Sequence, residues 1–201
     1  MSDVYGTEMK NIFLSLMLVL SFAAYAGDFE EGKAAYEKGD FVTAIAKFKL
    51  AAEAGDANAQ YRLGFEYEWG NKRGTTQNLK EAAKWYRLAA GQGNAHAQVQ
   101  LGQLYYFGKG VIQNYREAQE WYMKAAMQGD LSGQGFLSQS YEQQSNYLMA
   151  YVWANIFTSN SDISSGAKTR DWLATQLTPK QLADAQALAK RCVESNYKNC
   201  E

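Results

Sequence analysis

GDANAQYRLGFEYEWGNKRGTTQNLKEAAKWY, from Gly55 to Tyr86, returns from Gly93 to Tyr122 as GNAHAQVQLGQLYYFGKGVIQNYREAQEWY. Gly55 pairs with Gly93, Leu63-Gly64 with Leu101-Gly102, Tyr67 with Tyr105, Asn78 with Asn114, and Trp85-Tyr86 with Trp121-Tyr122. The offset is 38 residues before the loop and 36 after it, because Gly70 to Gly74 holds two more residues than Gly108 to Gly110. A length change confined to a glycine-bearing segment between two matching blocks is what a surface loop between helices permits. The unit is therefore helix, loop, helix. Repeats of this period predict an all-α solenoid, in which each helix pair buries its apolar face on the next pair because one pair alone would leave that face wet.

The register extends beyond these two units. Phe41, Leu79, Tyr115 and Tyr147 are equivalent, as are Ala44, Ala82, Ala118 and Ala150, which gives four second helices. Asp40, Asn78, Asn114 and Asn146 precede them and supply a side-chain acceptor for the free amides of a helix start. Glu81 and Glu117, three residues after Asn78 and Asn114, suggest reciprocal capping boxes. Before the first helices stand Asp56, Asn94 and Asp130, each directly after a glycine that can end the previous helix in the left-handed conformation. Beyond residue 160 a helix is predicted over about 164–176. Thr178-Pro179-Lys180-Gln181 then opens a last helix to about Ser195, with Leu182, Ala185, Leu188, Ala189 and Cys192 on one stripe. Terminal helices of this kind cap an open array.

Within the units Ala59, Leu63 and Tyr67 share a helical stripe, as do Ala97, Leu101 and Tyr105. Gly64 and Gly102 sit inside these helices, where close helix approach is a sufficient reason for a residue that costs about 1 kcal/mol against alanine. Trp85, Trp121 and Trp153 hold one equivalent position and are expected in the core.

The A-x-x-x-LG-x-x-Y-x-x-G-x-G spacing of AHAQVQLGQLYYFGKG, with EAQEWYMKAAMQGD, resembles the Sel-one-like repeat (SLR) family within the tetratricopeptide superfamily. The ending WLATQLTPKQLADAQALAKRC is similar to the closing helices of bacterial members. Ser138 in place of the LG glycine, the longer EWGNKRG loop and the missing loop between Tyr141 and Tyr147 depart from the pattern. The resemblance implies a right-handed α-solenoid that binds a protein or peptide partner in a cell-envelope setting or, alternatively, as a secreted host-interaction factor. It also implies that first helices line the concave face. Carried over residue by residue, that face holds Asn58, Tyr61, Phe65 and Glu68, then His96, Val99, Gln103 and Tyr106, then Ser132, Gly135, Gln139 and Glu142. Aromatics flanked by amides suit a peptide groove.

The 201 residues are 47% hydrophobic and 20% charged, with one proline and a net charge of −1, which gives no footprint for nucleic acid or an anionic membrane. From Met9, MKNIFLSLMLVLSFAAYAGD has the basic start, apolar run and Ala24-Tyr25-Ala26 cleavage site of an export signal, so residues 1–26 are expected to be removed and Met9 to be the true start. The apolar run is short for a membrane span, and no membrane insertion is expected after cleavage. The organisation expected is thus a leader, repeats at about 28–54, 55–92, 93–128 and 129–160, and a cap over 161–201, as a monomer.

Chemistry of its own is not expected. His96 is the only histidine, and Cys192 and Cys200 lack the spacing of a zinc site, so no metal or cofactor is anticipated. In an exported chain the two cysteines are expected to pair with each other. Ser165-x-x-Lys168 and Ser195-x-x-Lys198 both match the S-x-x-K pattern of penicillin-recognising enzymes. With 12 serines and 14 lysines, about one match arises by chance, and no S-D-N or K-T-G partner is present. A weak hydrolase is the remote alternative.

Overall fold

A computed structural model describes residues 27–70, 75–161 and 164–200. The leader, the proposed start at Met9 and most of the Gly70 to Gly74 loop lie outside the described residues. Ten helices are described: α1 over 27–37, α2 Phe41–Glu53, α3 Ala57–Trp69, α4 Leu79–Gly91, α5 Ala95–Phe107, α6 Tyr115–Ala126, α7 Leu131–Gln143, α8 Tyr147–Asn160, α9 Ser164–Thr175 and α10 Pro179–Glu194. None of them is long and apolar enough to cross a membrane.

Each predicted helix start is made by the side chain foreseen for it. Asp56, Asn94 and Asp130 accept the amides of Ala59, Ala97 and Gly133. Asp40, Asn78, Asn114 and Asn146 accept those of Thr43, Glu81, Glu117 and Met149. Gly55, Gly93 and Gly129 take φ of 101°, 91° and 81°, which turns the chain from one helix into the next. The capping boxes at Glu81 and Glu117 are not formed. The Asn78 and Asn114 amides, which those carboxylates would have accepted, donate instead to the Tyr67 and Tyr105 carbonyls at 2.8 and 2.9 Å. Glu81 lies 3.6 Å from Lys84. Thr178 and Gln181 do close a reciprocal box at the start of α10.

The chain divides into two compact units, Met1–Ala89 and Ala90–Glu201. In the first, Ala51, Ala52, Ala59, Leu63 and Trp85 form a core with Phe29, Ile45 and Tyr67 against it. In the second, α5 through α9 pack each on the next and α10 packs back on α8. Its core runs from Ala118 and Tyr122 through Leu137, Trp153 and Ile156 to Leu173 and Leu188.

One steric rule recurs along the array. A Cβ placed on Gly32 would lie 2.7 Å from the Phe48 ring, on Gly64 2.7 Å from the Tyr86 ring, and on Gly102 2.5 Å from the Tyr122 ring. Phe48, Tyr86 and Tyr122 occupy one repeat position, so the glycine of each first helix exists to seat the ring of its second helix. The fourth repeat breaks both halves of the pair: Ser138 replaces the glycine and Ala154 the ring. Ser138 Oγ donates to the Ala150 carbonyl at 2.8 Å.

The tryptophans do not share one fate. Trp153 is fully buried and Trp85 nearly so. Trp121 is only partly buried, short of its expected place in the core, and the Lys124 ammonium lies over its ring, 3.9 Å from the centroid, in the geometry of a cation–π contact.

Cys192 and Cys200 form a disulfide, both ends buried, that folds the tail back on α10. Asn196 and Tyr197 inside the loop take positive φ of 52° and 63°. Tyr197 Oη accepts from Asn160 Nδ2 at 2.9 Å, tying the loop to the end of α8. Replacing both cysteines by serine is expected to lower stability by about 2.5 kcal/mol on the loop-entropy account. Reversible denaturation of the variant checks this, and an unchanged midpoint would remove the clip from the account of stability.

Candidate functional site

The candidate residues lie on the first helices of each unit. In the first unit α3 leaves Asn58 exposed and Tyr61 and Phe65 half-buried. The Tyr61 ring lies 5.9 Å from Tyr86, and the Phe65 ring 6.2 Å from the exposed Trp69. Glu68 is a correction. Expected on the open face, it is buried, because its carboxylate accepts the Tyr86 hydroxyl at 2.7 Å. Burial, and then the adjacent Glu68 charge, hold the Tyr86 phenol well above the ordinary tyrosine range. A carboxylate held this way braces α3 against α4 and offers nothing to a partner.

In the second unit His96 is exposed on the first turn of α5, with Nδ1 3.3 Å from Asp130 Oδ2. Gln103 is half-buried and Gln139 is exposed. Val99 is a second correction: expected on the open face, it is buried.

Tyr106 is the predicted residue around which the structure gathers others. Its ring meets Phe107 edge-on at 4.8 Å and Tyr115 at 5.2 Å. Gln113 Nε2 donates to the Tyr106 carbonyl and to Tyr115 Oη, both at 2.9 Å, and the Gln143 side chain donates to Tyr106 Oη. Phe107 is 57% exposed and Tyr115 53%, and Ile112, at the tip of the same connector, is 90% exposed. This cluster pairs aromatic faces with fixed amides on a rigid helix end. Of this cluster, sequence reasoning reached only Tyr106. The signal for the rest was present: Tyr105-Tyr106-Phe107 runs directly into the Gly108-Lys109-Gly110 loop, and three consecutive aromatics cannot all face inward on one helix.

A second set of residues went unread. Gln60 and Gln98, both buried, donate to the carbonyls of Ala52 and Ala90 at 3.1 Å, closing the end of the preceding helix onto the next one. Gln128 adds a bond to Gln98 Oε1 at 2.8 Å. Their mark is the repeated Ala-x-Ala-Gln of ANAQ and AHAQ.

The Ser195-x-x-Lys198 match receives no support from geometry. Ser195 Oγ donates to the Cys192 carbonyl and accepts the Asn199 amide, at 2.9 and 3.0 Å, which is the local chemistry of a helix end. The Ser165 side chain lies outside the described residues. Among the described residues no three His, Cys, Asp or Glu side chains converge as a metal would require.

The fold and this surface define a helical-repeat protein of the solenoid class. Residues 57–94 and 95–130 each match the Sel1 repeat. Repeats of this family generally mediate protein–protein interaction. A Sel1 repeat protein from Oxalobacter formigenes has a similar structure, with 29% identity, a TM-score of 0.65, and coverage of 87% of this chain and 73% of that one. A protective antigen present in uropathogenic Escherichia coli strains, displaying an SLR fold, is similar at 24% identity and a TM-score of 0.57, over 86% of this chain and 47% of that one. The chain thus spans about half the length of that antigen. No protein of curated function matches the sequence.

Proposed function

We propose that this chain is an exported adaptor of the bacterial cell envelope, which holds a protein or peptide partner on its first-helix surface and performs no chemistry itself. The observation that carries the reading is the Tyr106, Phe107 and Tyr115 cluster. Large aromatics that are half in water while their carbonyl and hydroxyl groups are fixed by Gln113 and Gln143 have the composition of binding hot spots. Such a surface is costly to leave open unless a partner covers it. The Cys192–Cys200 disulfide supports an oxidising compartment, as expected for a periplasmic or secreted chain.

The test is capture of partners from a periplasmic extract on the immobilised protein, with host-cell lysate as the parallel arm for a secreted role. Phe107→Ala combined with Tyr115→Ala is expected to abolish capture while leaving the melting transition nearly unchanged, since both side chains are more than half exposed. A specific partner held equally well by the double variant would move the binding surface elsewhere.

A further inference from the structure

The fourth repeat contains an empty ring socket, and we infer that it is a binding site for one phenol-sized aromatic ring. In the second Sel1 repeat Tyr122 lies over Gly102 and stacks on Phe136 of the following first helix, with centroids 5.3 Å apart and planes 22° apart. The same position one repeat later is held by Ala154, over Ser138. The stacking partner is gone as well. A Cβ on Gly133 would press on Ala125 and Ala126, and one on Gly166 would press on Phe157 and Thr158, each 32 residues further on. Gly166 therefore stands in α9 where Gly133 stands in α7, and Thr169 stands where Phe136 would.

With both rings replaced by small side chains, a cavity remains. It holds about 160 Å³ and is lined by Gly135, Ser138, Ala154, Phe157, Gly166 and Thr169. An apolar cavity of about 150 Å³ accommodates benzene. The volume, the one aromatic wall at Phe157 and the small remaining walls match a single ring. Ser138 cannot close the space, because its hydroxyl is turned onto the Ala150 carbonyl. The half-buried Phe157 and the exposed Thr169 place an opening at the surface.

The ring can come from a free phenol or from a tyrosine of a bound peptide. Titrating p-cresol and N-acetyl-tyrosinamide into the intact protein, with the amide resonances of Ser138, Ala154 and Thr169 followed by NMR, distinguishes them. Saturable shifts at these residues with both probes mark a socket open to a peptide side chain, and with p-cresol alone one for free phenols. Thr169→Phe, at the exposed mouth, is expected to weaken binding roughly tenfold or more. Ser138→Gly with Ala154→Tyr, which restores the standard pair, is expected to do the same. Absence of saturable shifts with either probe, or undiminished p-cresol binding in Thr169→Phe, overturns the inference. The measurement does not depend on the adaptor reading, because it requires no protein partner.

Discussion

Trp153→Ala should be among the most damaging single substitutions in the second unit, lowering stability by about 3 kcal/mol, toward the lower end of buried tryptophan truncations. The indole is fully buried amid the core built from α6, α7, α8 and α10, and small neighbours such as Ala150 and Ala154 cannot expand into the space it leaves. Its Nε1–H is buried with no hydrogen-bond partner, so truncation forfeits packing and relieves one unsatisfied donor, which keeps the loss from being larger. Trp121→Ala, at the equivalent position but only partly buried under Lys124, should lose only about 1 to 2 kcal/mol. Chemical denaturation of the two variants side by side measures the contrast. Equal losses would show that repeat position, rather than actual burial, governs the energetics.

Gly102→Ala should cost about 3 kcal/mol, the upper part of the range for overpacked cores. The new methyl would stand 2.5 Å from Tyr122 Cε1 and 3.2 Å from the Ala118 carbonyl oxygen. The ring cannot swing away, since Tyr122 is buried and stacked on Phe136. Gly91→Ala supplies the control: it also lies in a helix, yet a Cβ there meets nothing within 4 Å. Alanine at 91 should therefore stabilise by up to about 1 kcal/mol through helix propensity alone. A stabilised Gly102→Ala would mean that the LG glycine is dispensable and that the ring sits elsewhere.

These two pairs also show where sequence and structure part company. Trp121 and Trp153 are interchangeable in the repeat alignment, and only the neighbours of each decide that one is sealed and the other stacked beneath a cation. Glu68 and Tyr106 occupy the same repeat position, yet one is held inside by a tyrosine hydroxyl while the other joins an exposed aromatic cluster. No periodicity argument separates them, because the deciding contact comes from a different helix in each unit. The Glu81 and Glu117 boxes failed for a related reason: a distant carbonyl had already taken the amide that a local motif needed.

What the chain determines by itself is the ladder of helix starts and stops. Asp56, Asn94, Asp130, Thr178 and the glycines after each second helix act on backbone groups within four residues, so their effect is written locally and reads out directly as the repeat. The tertiary structure alone decides which faces stay open and which space stays empty, since exposure and cavities depend on what another helix brings to the contact. The Ser138 and Ala154 socket is the clearest case: each substitution is visible in the sequence, but only packing of α7, α8 and α9 makes a cavity of the two.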